Sequence, residues 1–134
     1  MPHMISTHAD AEKFAAAWAE AWNRRDVEAV LALFRDDIVF TSPTALAVTG
    51  SPVVRGKDAL RAYWTAALAG IGSIRFDVTR VLWDSVRREL AIIYVADIDG
   101  KTRTVSENLL FGEDGRVATA DVFHGVSSRE AALC

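Results

Sequence analysis

Glu107 and His124 are the two side chains of this sequence whose types and spacing best suit acid–base chemistry. Each is predicted to lie on the apolar face of a strand, where loss of water disfavours the charge of an isolated carboxylate. A histidine within reach would hold the two groups as an ion pair or let them share one proton, and either state could transfer protons near neutral pH. The alternative is a buried polar pair that only satisfies its own hydrogen bonds.

Two turn motifs set the register that brings these groups together. The pairs Asp99-Gly100 and Asp114-Gly115 are typical of tight turns between antiparallel strands, and directly opposed residues project from the same side of a sheet. Counting back from the turns predicts these opposed pairs: Ile98–Lys101, Ala96–Arg103, Tyr94–Val105, Ile92–Glu107, Leu109–Ala120, Glu107–Val122 and Val105–His124. Glu107 and His124 are then diagonal neighbours on one apolar face, which also carries Ile92, Tyr94, Ala96, Val105, Leu109, Phe111, Ala118, Ala120 and Val122.

The elements that position this face follow from hydrophobic periodicity, which is helical in the first third of the chain and alternates in the second half. Three helices are predicted: one over about residues 7–22, a shorter one capped by Asp26 that includes Phe34, and one capped by Asp58 that ends at residues 70–72. The predicted strands cover 38–42, 74–83 with a bulge, 89–98, 101–112 and 116–124. Asp36-Asp37 is predicted to form a turn, and residues 43–55 a loop. Segregated helices and strands indicate the α+β class.

The length and composition limit what the protein can be. The chain has 134 residues, of which 51% are hydrophobic, so we expect one domain over residues 7–126, a flexible N-terminus over 1–6 and a tail over 127–134. The net charge of −3 comes without a Lys/Arg cluster, so no nucleic-acid partner is predicted. No apolar run approaches the roughly 20 residues of a membrane span, and no signal peptide is recognised. The single cysteine, Cys134, fits a reducing cytoplasm.

Several further side chains are candidates for contact with a small apolar ligand. Trp18 could form an aromatic wall, although core packing is the more frequent role of a tryptophan at helical spacing. Tyr94 could donate its hydroxyl to a ligand or to the backbone, and turn chemistry is favoured for Ser42. The complete predicted set is Trp18, Ser42, Tyr63, Trp64, Ile92, Tyr94, Val105, Leu109 and Val122. No two histidines have the spacing of metal ligands and no glycine-rich phosphate loop is present, so neither a metal nor a cofactor is predicted.

Four segments of the chain resemble the nuclear transport factor 2-like superfamily, which includes ketosteroid isomerases, SnoaL-like polyketide cyclases and limonene epoxide hydrolases. They are Trp18–Asp26, Val30–Phe40, Val54–Trp64 and Glu113–Val117, and the resemblance extends over about residues 7–126. It implies a cone-shaped half-barrel, with three N-terminal helices packed on a strongly curved, mostly antiparallel sheet. It also implies a homodimer formed through the outer face of the sheet.

The resemblance gives individual residues an expected role. The general base of the steroid isomerases, an Asp before Pro in the first strand, falls on Ser42, and their oxyanion-hole tyrosine falls on Trp18. Their protonated oxyanion-hole aspartate falls on Glu107, and an aromatic residue of their last strand falls on His124. Because Ser42 is not a carboxylate, steroid isomerisation is not predicted. The Asp-Arg-Asp constellation of the epoxide hydrolases is not found.

Three hypotheses for the function remain open. The first is an enzyme that transfers protons on a small carbonyl-type substrate, such as a SnoaL-like isomerase, cyclase or hydrolase, in which Glu107 and His124 act and Trp18 and Tyr94 position the substrate. The second is a module that binds an apolar ligand without turnover. The third is a dimerisation domain whose cone is filled by its own side chains, which predicts that no cavity is present.

Overall fold

The computed structural model describes residues 4–127, which form four helices and one six-stranded sheet. The helices are α1 (His8–Asn23), α2 (Val27–Leu31), α3 (Pro43–Thr49) and α4 (Lys57–Ala69). The strands are β1 (Phe34–Thr41), β2 (Val53–Arg55), β3 (Ile74–Asp84), β4 (Glu89–Ile98), β5 (Lys101–Phe111) and β6 (Val117–Ser127). Residues 1–3 and 128–134, including Cys134 and most of the predicted tail, lie outside the described residues.

The sheet is curved, open and mixed, in the order β2-β1-β6-β5-β4-β3. Neighbouring strands are antiparallel except β1 and β6, which are parallel. The helices pack against one face of this sheet and bury the core between the two layers. The predicted α+β class, with helices on a curved and mostly antiparallel sheet, is confirmed.

The predicted register is confirmed at all seven opposed pairs. Asp99 and Gly100 have φ of 54° and 85°, as the two central residues of this tight hairpin turn require. The predicted bulge in β3 is present as a register shift between Val78 and Arg80. A second shift at the start of β6 was not predicted, and it places Val117 opposite Phe111, the position that the count gave to Ala118.

The segment predicted as a loop over 43–55 instead contains α3 and β2. Ser42 caps α3, since its Oγ accepts a hydrogen bond from the Thr44 amide at 3.2 Å, and Pro43 occupies the first turn, where its missing N–H costs nothing. β2 adds three residues to the edge of β1. Short elements such as these give too few repeats for a periodicity to show.

Two other local predictions are wrong. Asp58 does not cap α4: Gly56 occupies the N-cap position without a side-chain bond, and Asp58 contacts Arg61 at 2.9 Å. Phe34 begins β1 rather than continuing α2, and Asp36-Asp37 lies inside β1, where the register against β6 shifts.

Helix α1 is capped at its N-terminus and joined to the sheet at its C-terminus. Thr7 and Asp10 form a reciprocal capping box at its N-terminus. At its C-terminus, the Asn23 side chain accepts a hydrogen bond from the Phe76 amide at 2.7 Å and donates one to the Phe76 carbonyl at 3.1 Å. Ile5, in the segment expected to be flexible, is buried in the core. These contacts hold the aromatic face of α1 against β3.

Candidate active site

A cavity of about 1100 Å³ lies between α4, the loop that follows it and the inner face of the sheet. Aromatic and aliphatic side chains supply much of its wall, among them Trp22, Phe40, Trp64, Ile74 and Phe76. The hypothesis of a cone filled by its own side chains predicts no such space. The cavity therefore argues for one of the other two hypotheses.

Glu107 is the buried acid of this cavity. Its side chain lines the wall and the residue is only 4% exposed. Burial raises the pKa of its carboxyl group to about 7, and a hydrogen bond from Tyr94 opposes this rise. Both the neutral and the ionised form are consequently populated near neutral pH.

Tyr94, which lies diagonally across the β4–β5 ladder from Glu107, is the hydrogen-bond partner of this acid. Its hydroxyl donates to Glu107 Oε1 at 3.2 Å. Burial raises the pKa of Tyr94 well above its usual value, and the negative charge of Glu107 raises it further. Tyr94 therefore remains a neutral donor throughout the ordinary pH range and fixes the position of the carboxyl group.

A second phenol, Tyr63 of α4, faces the same region of the cavity. Burial raises its pKa, hydrogen bonding with Ser42 lowers it, and the charge of Glu107 raises it. Ser42 is 3% exposed and lines the cavity while it caps α3. The turn chemistry favoured for Ser42 is thus present, and it places the hydroxyl group beside a second potential donor.

His124 lines the cavity opposite Val105 and is partly buried. Burial lowers its pKa, and the positive charge of Arg103 lowers it further. Among the described residues, no hydrogen bond or ion pair joins His124 to Glu107, whose side-chain partner is Tyr94. The two groups share the face predicted for them, but they do not form the predicted direct pair.

Of the nine predicted ligand contacts, some line the cavity and the others lie in the core. Six of them line it: Ser42, Tyr63, Trp64, Tyr94, Val105 and Val122. Trp18, Ile92 and Leu109 are fully buried in the core instead. Trp18 packs against Phe76 and Tyr94, with ring centroids at 5.6 and 5.0 Å, and so supports two side chains of the wall.

Among the lining residues outside the predicted set, two groups bear on which ligand could bind. Thr44 and Val48 belong to α3, where a loop was predicted. Lys101 and Arg103 lie at the hairpin end of β5, on the face of Glu107. The sequence did contain a signal for Lys101 and Arg103, because alternation along β5 places its odd-numbered residues on the same face as Glu107.

Residues 4–127 lack a metal site and a membrane-spanning helix. They contain no group of three or more His, Cys, Asp or Glu side chains arranged to hold a metal ion. None of their helices is both long and apolar enough to span a membrane.

Comparison with known proteins identifies the family. One similar structure is a SnoaL-like protein of unknown function from Burkholderia thailandensis E264, 32% identical, with a TM-score of 0.81 over 90% of this chain and 98% of that one. An NTF2-like protein of unknown function from Burkholderia pseudomallei K96243 is 19% identical, with a TM-score of 0.73 over 92% and 93%. The epoxide hydrolase/cyclase-like enzyme SalBIII, of pyran ring formation in salinomycin, is 15% identical, with a TM-score of 0.69 over 88% and 92%. The last two likenesses show the fold alone.

No curated protein matches the chain. The model of the SnoaL-like domain matches residues 15–124, which is most of the sequence and includes both Glu107 and His124. The chain therefore belongs to the SnoaL-like domain family, as its sequence segments predicted.

Proposed function

We propose that this domain binds a small, largely apolar carbonyl compound in its cavity and transfers a proton on it. The observation that carries the proposal is Glu107, a buried carboxyl group on the cavity wall whose pKa is raised to about 7. A carboxylic acid that is still partly protonated at neutral pH is suited to general acid catalysis.

The opposite pKa shifts of the two groups assign their roles. Burial favours the neutral acid at Glu107, while burial and Arg103 favour the neutral imidazole at His124. A pair whose neutral forms are both favoured can give a proton at one end and take one at the other. We therefore infer that Glu107 is the acid and His124 the base.

The ladder places Glu107 and His124 at a backbone spacing that a substrate could bridge. Diagonal neighbours on one face of an antiparallel ladder are about 7–8 Å apart. Glu107 pairs with Val122 and His124 pairs with Val105, so the two groups stand in this relation. A carbonyl oxygen and the carbon next to its carbonyl group fit between a donor and an acceptor at this spacing.

The proposed step conserves atoms and electrons. His124 removes a proton from the carbon beside the carbonyl group, and the electrons of that C–H bond form a carbon–carbon double bond. The carbonyl π electrons move to oxygen, which receives a proton from Glu107, and an enol results. Return of a proton to the same or a conjugated carbon gives exchange or isomerisation, and attack of the enol on a second carbonyl group gives cyclisation.

We also propose that two copies of the chain associate through the outer face of the sheet. Phe123 is 60% exposed there, and Ile93, Val95 and Leu110 alternate outward beside it. Phe123 is exposed and the other three side chains are half-buried, and such an apolar cluster on a partly polar face is typical of an interface. The cavity lies on the other face, so the proposed dimer would leave it accessible.

The test of the catalytic proposal is exchange of carbon-bound protons in heavy water. A panel of apolar ketones led by β-tetralone is incubated with the protein, and deuterium uptake is measured by mass spectrometry. We expect Glu107→Gln and His124→Ala to lower the rate about a hundredfold or more. Glu113→Gln, which removes an exposed carboxylate away from the cavity, is the matched control.

The pH profile tests the assignment of roles. Activity should fall above about pH 7 as Glu107 loses its proton, and it should fall again in acid, below the usual range of a histidine, as His124 gains one. Full exchange in both variants would refute the proposal. Tight retention of ketones by a wild-type protein that exchanges no protons would instead establish the non-catalytic binding module.

A further inference from the structure

We infer that the ligand of this cavity carries a carboxylate group, which Arg103 and Lys101 bind at the end of the cavity near the β4–β5 turn. This inference rests on the proposed function, because it concerns the substrate of the same cavity. It specifies an amphipathic keto acid, with an apolar body, a carbonyl group at Glu107 and an anionic end at the turn.

The first observation is a pair of cations that have no carboxylate partner in the described part of the chain. Lys101 and Arg103 line the cavity, and within residues 4–127 neither has an Asp or Glu oxygen at ion-pair distance. Asp99 also lines this end, but its Oδ1 already accepts the amides of Gly72 and Ser73, both at 2.8 Å. At this end two cationic side chains, Lys101 and Arg103, thus accompany one carboxylate, Asp99, and their formal charges sum to +1, which favours an anion.

The second observation is that the Arg103 side chain is held in place. Its Nη1 donates to the Gly125 carbonyl at 3.1 Å, and the residue is partly buried. Arg103 and His124 both line the cavity, and the positive charge of Arg103 adds to the effect of burial in lowering the pKa of His124. A guanidinium with one N–H engaged retains further donors in a planar arrangement that matches the two oxygens of a carboxylate.

The third observation is the distance between the two polar ends. Arg103 and Glu107 are four residues apart on the same face of β5, so their Cα atoms are separated by about 13 Å. Val105 lies between them on β5 and also lines the cavity, whose wall contains several aromatic side chains. A ligand that reaches both ends must therefore present an anion and a carbonyl group separated by an apolar body about two rings long.

The experiment compares two probes that differ only in charge. An acetyl-substituted biphenyl carboxylic acid and the matching carboxamide are titrated into the protein by calorimetry. We expect the acid to bind at least tenfold more tightly than the amide, and Arg103→Gln to remove most of that difference, because a charged hydrogen-bonded pair is lost. Lys101→Gln should remove a smaller part, since Lys101 is exposed and more strongly screened.

Arg80→Gln is the matched control, because Arg80 is an exposed arginine of β3 that does not line the cavity. It should leave both affinities unchanged. The amide also serves as a folding control: if Arg103→Gln still binds the amide as the wild type does, the cavity is intact.

Each outcome decides the inference. Equal affinity of the wild type for acid and amide overturns it, and so does a loss that is the same for both probes in Arg103→Gln. If neither probe binds, the inference fails together with the proposed ligand cavity. If proton exchange depends on Glu107 but the protein does not prefer the carboxylic acid probe over the amide, the proposed function stands. Only the inference of a carboxylate on the ligand is then refuted. Tighter binding of the carboxylic acid without any proton exchange would support the carboxylate site and refute the proposed catalysis.

Discussion

Replacing Glu107 by glutamine should change how the stability of the protein depends on pH. The amide has nearly the shape of the carboxyl group, and its oxygen can still accept the Tyr94 hydroxyl, but it does not titrate. In the wild type, burial raises the pKa of Glu107 from 4.5 to about 7, so the folded state holds this proton more tightly than the unfolded state. At about 1.4 kcal/mol per pH unit, that difference corresponds to about 3 kcal/mol.

The sign follows from the direction of the shift. The contribution of Glu107 to wild-type stability is complete below pH 4.5, where both states are protonated, and it is lost as the pH rises through about 7. The glutamine of Glu107→Gln does not titrate, so the variant does not lose this stability as the pH rises. Between about pH 4 and pH 8.5 the free energy of unfolding of the variant, relative to the wild type, should therefore increase by about 3 kcal/mol.

The assay is urea unfolding at several pH values, followed by the fluorescence of the four tryptophans. Glu113→Gln removes an exposed carboxylate, so it shows how much the free energy of unfolding changes when only a surface negative charge is lost. If the free energies of unfolding of Glu107→Gln and wild type differ by a constant amount across this pH range, the raised pKa of Glu107 is refuted. A wild type that gains stability relative to the variant as the pH rises would show that Glu107 is ionised in the fold.

Three further predictions concern other contacts. Tyr94→Phe removes the hydrogen bond that lowers the pKa of Glu107, so the alkaline limb of the activity profile should move to higher pH than in the wild type. Asn23→Ala deletes both hydrogen bonds between α1 and Phe76, and urea unfolding should show a loss of about 2 kcal/mol. Phe123→Glu places a charge in the proposed dimer interface, and sedimentation should show monomers at concentrations where the wild type is dimeric.

The sheet register could be predicted because its signals are local and strict. Asp99-Gly100 permits one tight turn, and a period of two then fixes every opposed pair of the hairpin. Glu107 was placed on the inner face by this count alone. The count fails at the two ends of the β5–β6 ladder. Near the second turn a bulge moves Val117 into the place of Ala118, and beyond Val105–His124 a second shift places Ser127 opposite Arg103.

The partner of Glu107 could not be predicted in the same way. The count places both Tyr94 and His124 diagonally from Glu107, and it does not say which side chain reaches the carboxyl group. That depends on rotamers and on packing from other elements, here Trp18 of α1 against the Tyr94 ring. Strand alternation also cannot separate cavity from core: Leu109 and Val105 share a face, but only Val105 lines the cavity.

The position of the acid and the base in one ladder has a consequence for the proposed chemistry. Ser42 uses its hydroxyl to cap α3, so the segment after β1 provides a hydroxyl and no carboxylate. The base must then come from another wall, and His124 is held against β5 by backbone hydrogen bonds of the β5–β6 ladder. Because that ladder fixes both His124 and Glu107, their spacing does not depend on α3. In the proposed reaction, α3 and the hairpin end could therefore vary with the ligand while the ladder keeps the spacing of the acid and the base.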